Sequence, residues 1–198
     1  MPMREMTGAC VALVLAAGRG RRFGSDKRAA VLPSGQRMLT QTLERALAAF
    51  SEVWVVLRVG DDPVALGVDE RVTVVRAERA DEGMGCSLAA GMLALEGTGF
   101  EAVAVMLGDM PWIEVGTLER LKNLAHQTRI VVPAFEGRQG HPVVFGRGFW
   151  EHLQALDGDQ GGKRILTTHA EDCLTIAVED RGVVGDLDTP IQERHYES

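Results

Sequence analysis

The chain predicts an α/β protein in which a mostly parallel central sheet is covered by helices on both faces. Two observations carry that expectation. Short, nearly continuous runs of Val, Leu and Ala alternate with longer amphipathic stretches, as buried parallel strands alternate with crossover helices. Polar loops that carry glycines, cations or carboxylates directly follow several of the apolar runs, and ligands bind such sheets at the carboxyl ends of their strands.

Strands are expected at residues 10–16, 53–57, 72–75, 102–107, 130–132, 142–145 and 174–178. A helix is expected over 36–50, where Leu39, Leu43, Ala46, Leu47 and Phe50 recur at three- and four-residue intervals and form one apolar face. Val115, Leu118, Leu121 and Leu124 repeat the pattern over 114–125. Shorter helices are expected at 87–95, 148–156 and 163–169. No repeat, linker or low-complexity tract interrupts the series, so a single domain over 1–198 is expected, with residues 193–198 fraying at the end.

Composition narrows the function. The 198 residues are 45% hydrophobic and 25% charged, with 28 acids against 21 basic side chains and a net charge of −7. That balance disfavours nucleic acid or an anionic membrane as partner. No apolar run reaches the roughly 18–20 residues of a membrane span, and the apolar start breaks into Gly and Arg without a cleavage signal, so a cytoplasmic protein is expected. Cys10, Cys86 and Cys173 are odd in number and widely spaced, which argues against a disulfide framework or structural zinc. Cys10 and Cys173 are expected as buried strand residues and Cys86 as partly exposed.

The first chemical segment runs from Leu15 through Ala16 and Ala17 to Lys27, directly after the first strand. Gly18, Gly20 and Gly24 let the backbone approach a ligand closely. Arg19, Arg21, Arg22, Lys27 and Arg28 surround them with one acid, Asp26. Free N–H groups with clustered cations suit a polyphosphate. The P-loop pattern fails because Lys27 lies between Asp26 and Arg28, and the glycine spacing is one residue too long for a dinucleotide fingerprint.

Asp109 ends the strand over 102–107, where Pro111 stops the ladder. Asp186 and Asp188 share one side of an extended stretch, and carboxylates beside a triphosphate suit Mg²⁺. Gly83 and Gly85 lead into a helix that starts near Ser87, whose N–H groups and hydroxyl suit a base edge or a phosphate. The Gly-rich stretches around His141 and from Asp157 through Asp159 and Gly161 are candidates for the wall of an acceptor site.

Taken in order, these segments resemble the nucleotidyltransferases that act on the molybdenum cofactor, the MobA-like NTP transferases, and most nearly their cytidylyltransferase branch. Leu15 to Gly18, Arg22, Gly24 and Lys27 match its LAAG-x-x-x-R-x-G-x-x-K pattern. Further blocks stand at Gly83 to Leu88, Gly108 to Pro111, Gly140 to Val143, Gly158 to Gly161 and Asp186 to Pro190. The resemblance implies a three-layer α/β/α, Rossmann-like nucleotidyltransferase fold. It implies transfer of CMP from CTP to the phosphate of molybdopterin, with Mg²⁺ as cofactor and pyrophosphate as product. A molybdoenzyme or its chaperone is the implied protein partner.

By position, Leu15, Ala16, Ala17, Gly18, Arg19, Gly20, Lys27, Gly85 and Ser87 would bind the nucleotide. Lys27, Arg22 and Asp109 would act in catalysis. Asp109, Asp186 and Asp188 would hold metal, and His141, Asp159 and Gly161 the acceptor. Related guanylyltransferases tend to carry LAGG, whereas Ala16-Ala17 here leans toward CTP. The competing readings are transfer to a sugar phosphate or similar acceptor, an NADP-binding reductase that would use Arg58, and a non-catalytic nucleotide-binding accessory protein.

Overall fold

A computed structural model describes residues 10–18 and 27–185. One eight-stranded sheet runs through it in the order β3-β2-β1-β4-β7-β5-β6, with β8 also paired to β5. The strands are β1 (Cys10–Leu15), β2 (Val53–Arg58), β3 (Thr73–Ala77), β4 (Ala102–Leu107), β5 (Ile130–Phe135), β6 (Arg138–Gln139), β7 (Val143–Gly146) and β8 (Cys173–Ala177). The helices are α1 (Met38–Ala49), α2 (Met84–Ala94), α3 (Val115–Asn123), α4 (Trp150–Gln154) and α5 (Lys163–Thr168).

Pairing is parallel from β3 through β2 and β1 to β4. β7 lies antiparallel to both β4 and β5, and β8 resumes a parallel pairing with β5. Every expected strand and helix is present. The short β6 was not foreseen; it answers β5 across a turn in which Glu136 and Gly137 take positive φ.

The continuous apolar strands have the physical basis the sequence suggests. All six residues of β1 are buried. Cys10, Ala12, Val14 and Ala16 point into a core with Leu39, Leu43, Leu118 and Leu121 of α1 and α3. Val11, Leu13, Leu15 and Ala17 face the opposite core with Leu88, Met92, Leu153 and Ile165 of α2, α4 and α5. Alternation along a strand thus feeds two helix layers at once. Gly91 of α2 lets that helix sit on β1: a Cβ there would come within 2.8 Å of Leu13 and 2.9 Å of Val56. β8 departs from the pattern, since Leu174 and Thr175 are exposed on an edge.

The cysteine expectation needs correction at two positions. Cys10 is buried, but so is Cys86, while Cys173 is half-buried. Cys86 is covered because the first turn of α2 is pressed against the 157–160 loop. Cys173 is open because β8 is an edge. Among the described residues, no helix is long and apolar enough to cross a membrane.

Candidate active site

From β1 the chain builds β2 and β3 on one side and then returns to place β4 on the other. The sheet's direction of growth therefore reverses between β1 and β4, and in an open α/β sheet the crevice at such a switch point takes the ligand. Register sets Leu15 opposite Leu107, so the two loops that leave here start side by side. The Gly108 N–H donates to the Leu15 carbonyl at 2.9 Å. A Cβ on Gly108 would lie 3.0 Å from that of Ala16. Leu15, Ala16 and Ala17 are buried and Gly18 is exposed at the mouth.

Asp109 is half-buried beside this junction. Its loop is gripped from α1: the Gln41 amide donates to the Pro111 carbonyl at 3.1 Å, and the Thr42 hydroxyl lies 3.3 Å from the Gly108 carbonyl. Sequence reasoning did not select Gln41 or Thr42. Their signal was a pair of polar residues on the apolar face of a helix.

His141 approaches from the opposite side. The packing of protein around its ring pushes its pKa down, and the negative charge of Asp109 opposes that fall, so the two side chains share one electrostatic neighbourhood. The His141 N–H donates to the Val183 carbonyl at 2.8 Å, and the His141–Pro142 peptide is cis. Any side chain on Gly140 would overlap the Val183 backbone. Asp180, buried, accepts from the N–H groups of Glu114 and Gly182, each at 2.8 Å. The chain leading to residue 186 is thereby held against both the loop after β4 and the turn at 140–142.

A second loop pair lies at the start of α2. The Gly85 N–H donates to the Gly158 carbonyl at 2.8 Å, and a Cβ there would meet the Gln160 carbonyl at 2.6 Å. Gly85 is thus fitted to the 157–160 loop, and its N–H already has a protein acceptor. Ser87 is buried, with its hydroxyl 3.5 Å from the Gly83 carbonyl. Asp159 is exposed, and Gly161 lies across from Met84. Arg79 bridges Glu82 and Asp157 at 2.5 and 2.8 Å. The Cys86 thiol donates to Asp157 at 3.1 Å, and burial, followed by that bond, raises its pKa. The folded chain therefore gathers Leu15 to Gly18, Asp109 and His141 at one strand edge. It packs Gly85 and Ser87 against the loop that bears Asp159 and Gly161. Arg19, Gly20, Arg22, Asp186, Asp188 and the Lys27 side chain lie outside the described residues.

Two places among the described residues are candidates for a divalent ion, one cluster and one single carboxylate. Glu82, Cys86 and Asp157 lie within ligand distance of one another. That set pairs a protonated thiol with carboxylates already bridged by Arg79, which does not fit Mg²⁺, a hard cation that selects oxygen donors. Asp109 offers a carboxylate at the switch-point crevice, which does fit.

A mostly parallel sheet whose β1 and β4 ends bring Gly18 and Asp109 to one switch point has the arrangement expected of a nucleotidyltransferase. The chain belongs to the family described as the MobA-like NTP transferase domain, which matches residues 12–173. It is 28% identical over 190 residues to the purine catabolism protein PucB of Bacillus subtilis, covering 91% of this chain and 92% of that protein. It is also 28% identical to a probable molybdenum cofactor guanylyltransferase of Mycobacterium tuberculosis, covering 85% and 83% of the two chains. The crystal structure of Rv0371c from M. tuberculosis superposes with a TM-score of 0.78 at 27% identity, over 95% of this chain and 97% of that one. The same protein has also been crystallised with manganese.

Membership in this family decides for nucleotidyl transfer over a reductase or a non-catalytic protein. Arg58, on which the reductase reading relied, ends β2 with its Nε 3.5 Å from Asp61.

Proposed function

We propose that this enzyme transfers CMP from CTP to the terminal phosphate of molybdopterin or its molybdenum-loaded form and releases pyrophosphate. The observation that carries this reading is the junction of the Ala16–Gly18 and Gly108–Asp109 loops at the switch point, with the charge of Asp109 felt at His141. Ala16-Ala17 in place of the LAGG sequence is the basis for choosing cytidine. An acceptor phosphate oxygen attacks the α-phosphorus in line. A new P–O bond forms as the bond to the β-phosphate oxygen breaks, and pyrophosphate carries away the electron pair. Such transfers rest on positioning and charge neutralisation.

In this assignment Leu15, Ala16, Ala17, Gly18, Arg19, Gly20, Gly85 and Ser87 hold the nucleotide, and Lys27 and Arg22 neutralise charge on the phosphates. His141, Asp159 and Gly161 line the acceptor side. Asp109, Asp186 and Asp188 would hold Mg²⁺, which would shield the triphosphate when bound; manganese in a crystallised relative supports a divalent ion in this role. The reading places the enzyme in the cytoplasm, serving a molybdoenzyme or its chaperone.

The test is pyrophosphate release with CTP, GTP, ATP and UTP, each offered molybdenum cofactor and a sugar 1-phosphate. CTP with the molybdenum cofactor should give the highest kcat/KM. Preference for GTP would overturn the base assignment, and turnover only with the sugar phosphate would overturn the acceptor.

A further inference from the structure

Arg28 is the most unusual charge among the described residues. It is 7% exposed, although it sits one residue past the family's signature lysine. Its guanidinium makes a two-pronged ion pair with Asp61, through Nη1 to Oδ2 and through Nη2 to Oδ1 at 2.9 Å. The same Nη1 donates to the Ala16 carbonyl at 2.8 Å. Asp61 is itself anchored, because its Oδ2 accepts from the Arg58 N–H at 2.9 Å. Arg76 of β3 donates to the carbonyls of both Arg58 and Asp61 at 2.8 Å. Despite the opposing effect of burial, the largest single influence, bonds to Arg28 and the Arg58 N–H and the nearby guanidinium charges hold the Asp61 carboxyl below its usual range.

The position of this contact has a geometric consequence. The Ala16 N–H donates to the Val56 carbonyl of β2, and along an extended strand a residue's N–H and C=O face the same neighbour. The Ala16 carbonyl therefore faces the β2 side, where Arg28 meets it. The peptide group is planar and trans, so the Ala17 N–H on the same peptide is directed to the other side. That side is β4 and the crevice beside Asp109.

We propose that Arg28, locked by Asp61, is a positioning residue for the nucleotide. By holding the Ala16 carbonyl it presents the Ala17 N–H to an acceptor atom of the nucleoside triphosphate, and it fixes the backbone start of the Lys27–Ala29 turn beside the end of β1. The inference rests on the proposal that these loops bind the triphosphate, and it adds to that a pair of residues that touch no substrate.

Equilibrium titration of the full chain with CTP and GTP in the presence of Mg²⁺ separates the two proposals, because it needs neither acceptor nor turnover. Binding should weaken about ten- to a hundredfold in Arg28→Ala, in line with the cost of misplacing a preorganised group. Asp61→Asn should weaken it less and in the same direction, and Arg28→Lys should recover part of the loss. In turnover, KM for the nucleotide should rise while KM for the acceptor stays within about twofold.

Leu153→Ala, a core change in α4, is the control for destabilisation without loss of nucleotide affinity. Should Arg28→Ala fail to fold, Asp61→Asn decides, since it keeps the shape of the side chain. Wild-type affinity in a folded Arg28→Ala or, failing that, in Asp61→Asn would overturn the positioning role. A wild-type protein that binds no triphosphate would instead overturn the nucleotide reading, and the positioning role with it.

Discussion

The two flanks of the switch point are held by different physics. On the β1–β2–β3 flank, charged side chains tie three strand ends together: Arg76 to the 58–61 turn, Asp61 to Arg28, and Arg28 to Ala16. On the β4–β7–β5 flank the fastening is mostly backbone and close approach. His141 donates to Val183, Gly140 packs on the same carbonyl, a Cβ on Gly182 would lie 2.5 Å from the Trp112 carbonyl, and Asp180 accepts two N–H groups. Under the proposed function, one flank receives the polyphosphate and the other sets an acid, and the supports divide along the same line. The cations of the β1–β2–β3 flank are partly neutralised by Asp61, so their contribution is to hold the strand ends in place. On the other flank, backbone contacts and the buried Asp180 carboxylate do the bracing.

Four measurements would break or sharpen that contrast. The largest effect belongs to the polyphosphate side, where Lys27→Ala should lower kcat by about 10²–10³, as removal of one preorganised charge-stabilising group does. Near-full turnover in that variant would remove the assignment of Lys27. On the acid side, Asp180→Ala leaves the Glu114 and Gly182 N–H groups without their carboxylate and should cost about 1.5–3 kcal/mol in denaturant unfolding. A loss below about 0.5 kcal/mol would show that this brace is not structural.

Gly140→Ala forces a methyl group against Val183 and should cost about 1–3 kcal/mol through overpacking. It should also raise KM for the acceptor more than for the nucleotide, and an equal rise in both would contradict the division of the site.

The smallest effect is in pH. The His141 pKa is lowered in the folded state, so between that value and the unfolded value near 6.5 the unfolded chain binds more protons. Stability must then rise with pH across that window. It should be complete above about 6.5 and be lost as the pH falls toward the folded-state value. Unfolding midpoints between pH 5 and 8 should show this slope in the wild type and a flatter one in His141→Gln. An unchanged slope would mean that other groups control it.

Much of this was legible along the chain because it follows from neighbours in sequence. Six consecutive buried residues in β1 and the 3.6-residue period of α1 define elements wherever they are placed, and the order of strands and helices already implied a covered, mostly parallel sheet. The glycine–arginine loop and Asp109 stood out because their residue types suit phosphate and metal. What the sequence left open depends on contacts between distant segments. Cys86 reads as a residue at a helix start, yet it is buried because Gly83 and Gly85 let α2 close on the 157–160 loop. Gln41 and Thr42 look like interruptions of an apolar face until the loop after β4 is laid across them.

Arg28 read as one more cation in a cluster suited to a polyphosphate. Only the folded chain brings Asp61, thirty-three residues away, and the Ala16 carbonyl to one guanidinium. Local pattern determines which elements form, because propensity and periodicity act over a few residues. Partnership across the sheet is decided by strand order and register, which no single stretch of sequence contains.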